Sequence, residues 1–353
     1  MAELDKFFNY MVENEISDFH VSSGMRPLFR QFGDLKPASD QILTHDVVKK
    51  LLFEILNDEQ KGTFEEKNDL DFAHELTGLA RFRVNYFMQH RGMSGAFRLI
   101  PSKVESLDKL GFPKILKDFA GLSRGLVLIT GPTGCGKSTT LAAMIDYINK
   151  TRTDHIVTVE DPIEFVHISD KCLIHHRQVG IHTMSFPGAL RATLREDPDI
   201  IMLGEMRDLE TIELAITAAE TGHLVFATLH TSSAPKTIDR IIDAFPAGQQ
   251  AQIRTMLSES LKGIVCQQLL KRSDKPGRVA ALEVLVVNVA VSNLIREGKI
   301  FQIPSVLQTG KQLGMQMLDT EIMKYYKDGI ISVEEAHHKA NDKQLFEKFL
   351  EKK

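Results

Sequence analysis

The sequence predicts an α/β protein with a small α+β domain over residues 1–100, a linker at 101–114 and a larger domain over 115–353. Two observations lead to this prediction. The first hundred residues mix a helical stripe with short alternating runs interrupted by Gly and Pro, which is typical of strands and turns. From Gly125 onward, continuous apolar runs alternate with helical stretches. Such runs are typical of a mostly parallel sheet covered by helices on both faces, followed here by a helical C-terminal region.

The small domain is predicted to begin with an amphipathic helix. Its apolar stripe, at helical spacing, consists of Leu4, Phe7, Phe8, Met11 and Val12. Strands and turns should follow over 18–37, and a second helix over 46–56. Residues 79–101 read as a β-hairpin whose turn lies at 92–95, where glycines cluster.

The larger domain begins after Pro101, which ends the hairpin pattern and marks the predicted hinge. The predicted strands are GLVLIT, HIVTVE, DIIMLGE, HLVFATLH and VAALEVLVV. Because strands that alternate with helices run parallel, their carboxyl ends should meet at one edge of the sheet.

Composition excludes several classes of protein. The 353 residues carry a formal net charge of −4, unlike most nucleic-acid-binding domains, which are basic. The cysteines Cys135, Cys172 and Cys266 form no CxxC pair, so neither a zinc ribbon nor a thioredoxin motif is expected. The N-terminus lacks the pattern of a secretory signal, and no apolar run is long enough for a transmembrane helix.

The strongest motif is GPTGCGKST, which follows the strand LVLIT and opens a helix. This pattern matches GxxxxGK[ST], in which backbone amide groups surround nucleotide phosphates. Lys137 should reach the β- and γ-phosphates, and the Ser138 hydroxyl should bind Mg²⁺. Cys135 is either a small loop residue or, beside a helix N-terminus, a more acidic and oxidisable thiol. The nucleotide-binding residues are therefore Gly131, Pro132, Thr133, Gly134, Cys135, Gly136, Lys137, Ser138 and Thr139.

Acidic residues follow two of the predicted strands. Glu205 comes just after the run IIML, so it should reach the edge of the sheet that carries the phosphates, where a carboxylate can orient or deprotonate water. After HIVTVE, Glu160, Asp161 and Glu164 should reach the same edge. Clustered carboxylates there suit Mg²⁺ and its waters, and we favour Glu164 for the active site, acting on the metal directly or through water.

Two histidines bracket the strand LVFATL. His230 follows the strand, so it should meet the γ-phosphate and report hydrolysis to the next helix, whereas His223 precedes it and is a weaker candidate for a sensor or support. In the small domain, Arg81 and Arg83 should share one face of a strand, with Arg98 on the returning strand. Guanidinium groups suit phosphoryl transfer, although exposed arginines on a strand are commonly only solvated.

Taken in order, these motifs resemble those of the secretion-superfamily hexameric ATPases that serve type II secretion and type IV pili. The opening SDFHVSSGMRPLFRQFGDLKP resembles the PAS-like N-terminal domain of that group. Within the group, the short chain and the segments SNLIREGK and GMQMLD resemble the pilus retraction ATPases. One position departs from the pattern. The retraction ATPases usually read AIRNLIRE and this chain reads AVSNLIRE, so Ser292 stands where arginine is expected.

The resemblance implies a PAS-like domain followed by a RecA-like ATPase domain, which hydrolyses ATP with Mg²⁺ in a homohexamer. It further implies a cytoplasmic protein at the inner membrane that acts on a pilus platform protein and, through it, on pilin, without nucleic acid. By position, Glu205 matches the catalytic glutamate of the family, Glu164 its acidic-box carboxylate and His230 its sensor. Arg81 and Arg83 match its arginine fingers.

Three other functions remain open at this point. The chain is compatible with an assembly or secretion ATPase of the same group, or with a nucleotide-binding accessory subunit of such a motor. A nucleic-acid translocase is disfavoured by the acidic composition and by the absence of a basic, aromatic-rich tract.

Overall fold

The computed structural model describes residues 3–14, 16–31, 33–76, 79–100 and 104–350. The chain divides into two compact units, residues 1–103 and 104–353. Pro101, where we predict the hinge, lies outside the described residues. In the described part of the chain, no helix is both long and apolar enough to span a membrane.

The first unit is a six-stranded antiparallel sheet with helices packed against it, in the strand order β3-β2-β1-β6-β5-β4. Its elements are α1 Glu3–Glu13, β1 Asp18–Ser22, β2 Leu28–Gln31, β3 Asp34–Pro37, α2 His45–Phe53, α3 Asp58–Lys67, β4 Asp69–Leu76, β5 Ala80–Gln89 and β6 Gly92–Ile100. Aromatic side chains dominate its core. Phe8 of α1 stacks on Phe82 with ring centroids 4.3 Å apart, as the apolar stripe of the sequence predicts.

Two local features of this unit differ from the sequence prediction. The β5–β6 turn lies at 90–91, and Gln89 pairs with Gly92, so the glycines predicted to form the turn lie inside β6. Gly95 serves packing instead, because a Cβ there would come within 3.0 Å of Leu52 on α2. The polar helix α3 was not predicted. It is fixed by a capping box between Asn57 and Gln60 and buries one side chain, Phe64.

The second unit contains a seven-stranded, mostly parallel sheet in the order β13-β12-β7-β11-β10-β8-β9, and among the described strands only the β12–β13 pair is antiparallel. Its strands are β7 Gly125–Thr130, β8 His155–Glu160, β9 Leu173–Gln178, β10 Ile200–Leu203, β11 Leu224–Leu229, β12 Leu261–Lys271 and β13 Arg278–Val286. Its α-helices are α4 Ile115–Ala120, α5 Lys137–Thr151, α6 Phe186–Thr193, α7 Leu209–Glu220, α8 Ala234–Asp243, α9 Ala247–Ser260, α10 Val289–Arg296, α11 Ile303–Thr309, α12 Leu318–Lys327, α13 Val333–Lys339 and α14 Gln344–Leu350. The α/β prediction, including the helical C-terminal region, is confirmed.

Helices cover both faces of this sheet. On β7, Leu126 and Leu128 pack into the core that holds α6–α10, whereas Val127 and Ile129 pack into the core that holds α4 and α5. This burial on both faces explains why the central strands read as continuous apolar runs rather than as alternating ones. The strands β8, β10, β11 and β7 are consecutive neighbours, so their carboxyl ends form one continuous edge.

Part of the predicted linker belongs to the second unit. Leu107 is 2% exposed and packs into the same core as Phe119 of α4. Apolar residues of the segment, including Leu110 and Phe112, pack against this core and anchor residues 104–112 on it. The exact domain boundaries remain a prediction.

Candidate functional site

A glycine-rich loop at residues 131–136 connects β7 to α5. Gly131, Gly134 and Gly136 have positive φ angles of 142°, 76° and 90°, which glycine adopts without strain. The tip of the loop at 132–134 is exposed, and no side chain in the described part of the chain caps the first amide groups of α5. Uncapped amide groups at the start of a 15-residue helix, beside an exposed loop, form a cradle that fits phosphate oxygens.

Lys137, the first residue of α5, is 8% exposed and lies over this loop. Its Nζ donates to the carbonyl oxygens of Gly131 at 2.9 Å and Pro132 at 3.2 Å. It also lies 3.4 Å from Nδ1 of His230. The ammonium group is thereby held beside the cradle, where phosphate oxygens can replace the carbonyls as acceptors.

Glu205 follows β10 and contacts His230 from the other side. Its Oε1 lies 3.0 Å from Nε2 of His230, and its Oε2 lies 2.8 Å from the guanidinium of Arg207. Burial opposes ionisation of Glu205, but its hydrogen bonds with Arg207 and His230 and the positive charge of Arg207 outweigh it, so the pKa of Glu205 is lowered. The carboxylate is therefore ionised and well suited to orient a water molecule.

The neighbours of His230 determine where its proton lies. The Lys137 ammonium is only a donor, so Nδ1 of His230 accepts, and the ionised Glu205 is only an acceptor, so Nε2–H donates. A neutral imidazole thus links the phosphate-binding lysine to the carboxylate. Lys137, His230 and Glu205, which the sequence placed on three strand ends, form one continuous hydrogen-bonded chain.

The acidic residues after β8 take different positions. Glu160 is 5% exposed, and its Oε2 accepts the backbone N–H of Glu164 at 3.1 Å, so it shapes the turn that carries Glu164. Asp161 contributes to raising the pKa of Arg207, behind the larger effect of Glu205, which places Asp161 near that guanidinium. The contacts of the described residues do not join the carboxylate of Glu164 to Lys137 or Glu205.

The remaining predicted residues of this unit are also located. Ser138 and Thr139 are half-buried in the first turn of α5. His223 precedes β11, so it lies at the opposite edge of the sheet from His230, and its Nδ1 lies 3.0 Å from the carbonyl oxygen of Ala218 at the end of α7. The structure therefore does not bring His223 to the site.

Burial also changes the interpretation of the loop cysteine. Cys135 is 3% exposed, and desolvation raises the pKa of its thiol despite the nearby positive charge of Lys137. A more acidic, oxidisable thiol was one of the two sequence interpretations, and the raised pKa contradicts it. The structural interpretation fits, because the Cys135 sulfur packs against Gly131 inside the loop.

The three arginines predicted as site residues, Arg81, Arg83 and Arg98, share one face of the sheet in the first unit. Arg83 and Arg98 are paired directly across β5 and β6, and Arg81 lies two residues from Arg83 on the same strand. Arg98 also forms a 2.8 Å ion pair with Asp18 on β1. Arg83 is exposed and Arg98 is largely exposed, but the same face also carries the acidic residues Asp18 and Glu75, and Glu75 pairs directly across from Arg81.

Two residues near the site were missed by sequence reasoning. Arg207 binds Glu205, but a charged residue in a turn carries no signal that separates it from a solvated one. Gln267 on β12 is 2% exposed and supports the loop from beneath. Its Nε2 donates to the carbonyl oxygen of Cys135 at 2.6 Å, and its Oε1 accepts from the Thr140 hydroxyl at 2.6 Å.

We expect Gln267→Leu to loosen the phosphate-binding loop. The change leaves the buried Cys135 carbonyl without its partner, which should cost about 1–3 kcal/mol of stability. It should also weaken ADP binding about tenfold, because the loop amides lose their fixed orientation. Thermal unfolding and titration with ADP measure both effects. Gln268→Leu, on the same strand and only partly buried, is the control, and equal effects from the two changes would contradict the role of Gln267.

These features define a P-loop nucleotide-binding protein: a glycine-rich cradle lies at a helix N-terminus, a lysine lies over it, and a histidine on a neighbouring strand holds a carboxylate. The comparison with known proteins makes this assignment specific. A profile of the family described as "Type II/IV secretion system protein" matches residues 4–338. The chain belongs to this family.

Individual relatives match over most or all of their length. The chain is 51% identical to the type IV pilus retraction ATPase PilT of Pseudomonas aeruginosa over 98% of this chain and 100% of that protein. It is 52% identical to a twitching motility protein of Neisseria gonorrhoeae over 90% of this chain and 85% of that protein. Among solved structures, the pilus retraction motor PilT with bound ADP matches with a TM-score of 0.90 and 43% identity, over 100% of both chains.

Proposed function

We propose that this chain is an ATPase that powers the retraction of type IV pili and thereby twitching motility. The main observation in support of ATPase activity is the series of hydrogen bonds that runs from Lys137 through His230 to Glu205. The pilus assignment is supported by 51% identity to a pilus retraction ATPase over its full length. A match of this extent includes both units and not the nucleotide-binding fold alone.

Hydrolysis begins with binding of the triphosphate to the loop amides and Lys137. The Ser138 hydroxyl would hold Mg²⁺, together with phosphate oxygens and waters, and Glu164 would act on the metal directly or through one of those waters. A single protein hydroxyl is a sufficient ligand because Mg²⁺ in such sites keeps several waters and takes its other ligands from the substrate. The metal, when bound, neutralises charge on the β- and γ-phosphates.

Glu205 is the group that acts on water. Its carboxylate accepts a hydrogen bond from the attacking water and takes the proton as the new bond to the γ-phosphorus forms and the bond to the bridging oxygen breaks. Its lowered pKa makes it a weak base, so orientation of water is its main contribution early in the step. His230 contacts both this carboxylate and Lys137, so it responds to the arrival and loss of the γ-phosphate.

The sheet face of the first unit that bears Arg81, Arg83 and Arg98 supplies the arginines. In the proposed homohexamer, Arg81 and Arg83 approach the phosphates, and Arg98 supports them. ATP binding closes the nucleotide site, and hydrolysis and product release reopen it. Sequential closure around the ring then drives an inner-membrane platform protein that moves pilin back into the membrane, with the ATPase on the cytoplasmic side.

We expect Arg83→Ala to lower kcat about 10–100-fold, since a charge-assisted hydrogen bond to the transition state is worth about 1.5–3 kcal/mol. Arg26→Ala is a matched control, because Arg26 lies in the same unit and, among the residues that the structure describes, forms an ion pair only with the exposed Asp40, at 3.4 Å. The assay is phosphate release by the purified protein, and the oligomeric mass of each variant is measured alongside it. Equal activity of both variants would remove Arg83 from the proposed mechanism.

The whole proposal is tested in cells and in solution. The purified chain should release phosphate from Mg-ATP, and expression in a retraction-deficient strain should restore twitching. Hydrolysis without restored twitching would favour an assembly or secretion ATPase. Absence of hydrolysis would favour an accessory subunit, a possibility to which Ser292 on α10 gives weight, because arginine is expected there.

A further inference from the structure

A buried chain of hydrogen bonds runs through the second unit behind the acidic residues of β8. The hydroxyl of Thr158 donates to Oε1 of Glu160 at 2.9 Å. On the neighbouring strand β9, Nδ1 of His176 lies 2.8 Å from the same hydroxyl. The backbone N–H of His167 donates to Nε2 of His176 at 3.1 Å. Thr158 is fully buried, and Glu160 is 5% exposed.

The chemistry of these groups determines which atom donates in each of these hydrogen bonds. The Thr158 hydroxyl gives its single proton to the Glu160 carboxyl oxygen, so Nδ1–H of His176 must donate to the hydroxyl oxygen. Nε2 of His176 then accepts the backbone N–H of His167, and it also lies 3.3 Å from the His167 carbonyl oxygen. The reverse arrangement would leave the Thr158 oxygen facing the carboxylate at 2.9 Å without a proton between them, which is repulsive.

The other end of this series of hydrogen bonds reaches the proposed active site. Oε2 of Glu160 accepts the backbone N–H of Glu164 at 3.1 Å, so both carboxylate oxygens are fixed by hydrogen bonds. The backbone of Glu160 also lies against Gly204, where a Cβ would come within 3.3 Å of the Glu160 Cα. Gly204 immediately precedes Glu205. The orientation of the Glu160 side chain therefore affects the turn that carries Glu164, and the Glu160 backbone packs against the segment that carries Glu205.

We propose that Thr158 and His176 are positioning residues for ATP hydrolysis. They hold Glu160 in the one orientation that sets the backbone at Glu164, and they act on the reaction only through these carboxylates. This inference rests on the proposed function, because it concerns the rate of the same reaction. It assigns a catalytic effect to a strand, β9, that carries none of the motifs found in the sequence.

The test compares two threonine-to-valine changes in the full chain. Thr158→Val keeps the shape of the side chain and removes the donor to Glu160. Thr193→Val is the matched control, since Thr193 is fully buried at the end of α6 and its hydroxyl has no hydrogen-bond partner among the described residues. We expect Thr158→Val to lower kcat about 10–100-fold with ADP affinity changed less than about threefold, and Thr193→Val to leave both unchanged. Thr158→Ser, which restores the hydroxyl, should recover most of the lost rate.

A double variant separates positioning from general damage to the fold. If Thr158 acts through Glu164, Thr158→Val should lower kcat in the wild-type background and have little further effect in a Glu164→Gln background. Equal kcat for Thr158→Val and Thr193→Val, or losses that multiply in the double variant, would overturn the proposal. A wild-type chain that does not hydrolyse ATP would overturn the proposed function together with this inference. Normal wild-type hydrolysis beside a fully active Thr158→Val would overturn this inference alone.

Discussion

Glu205→Gln is expected to lower kcat for ATP hydrolysis about 10²–10⁴-fold, the range for loss of a general base. The amide keeps the shape of the side chain, and its oxygen can still accept from His230 or Arg207. The amide cannot take a proton from water, and without the negative charge of the carboxylate it orients water less well. A 10³-fold loss corresponds to about 4 kcal/mol of transition-state stabilisation.

Nucleotide binding separates this effect from general damage to the site. Because the phosphates bind to the loop amides and Lys137, ATP affinity should change less than about threefold in Glu205→Gln. Glu213→Gln makes the same chemical change at an exposed position on α7, so it is the control for effects of purification and folding. Phosphate release and equilibrium ATP binding measure the two quantities. A Glu205→Gln protein that hydrolyses ATP at close to the wild-type rate would show that another group activates water.

The residues at the centre of this site could be predicted from the sequence because the topology of a parallel sheet brings them to one edge. Lys137, Glu205 and His230 each follow an apolar run, and the carboxyl ends of parallel strands meet at one edge. The rule needs only that the strands be parallel and close in the sheet, and β7, β11 and β10 are consecutive neighbours. The same rule separates His230 from His223, which precedes its strand and lies at the far edge.

Residues outside this rule could not be predicted from the sequence. Gln267 lies within β12, and its contact with the loop depends on β12 lying beside β7, a pairing between strands more than a hundred residues apart. Its segment, LKGIVCQQLLK, mixes polar and apolar residues and follows α9 without a turn, so no boundary marks the strand. The helix α3 was missed for a different reason, since local capping rather than an apolar stripe defines it.

Gly131→Ala is expected to abolish nucleotide binding and hydrolysis together. A Cβ at Gly131 would lie 2.3 Å from the carbonyl oxygen of Gln267 and 2.7 Å from the sulfur of Cys135. The carbonyl belongs to β12, which pairs with strands on both sides, so it cannot move without breaking the sheet. The loop must shift instead, and the amide groups that surround the phosphates shift with it. We expect ATP affinity to fall more than about 100-fold, with about 2–4 kcal/mol of lost stability from overpacking and backbone strain.

A second glycine isolates the steric part of this effect. Gly222, just before β11, has φ of +119°, and a Cβ there would meet nothing within 4 Å. Gly222→Ala therefore carries comparable backbone strain without the clash and lies at the opposite edge of the sheet. It should cost about 1–3 kcal/mol of stability and leave ATP affinity unchanged. Thermal unfolding with ATP titration of both variants tests the argument. Normal nucleotide binding by a folded Gly131→Ala protein would mean that the loop tolerates displacement, and the geometry of the cradle would then not determine binding.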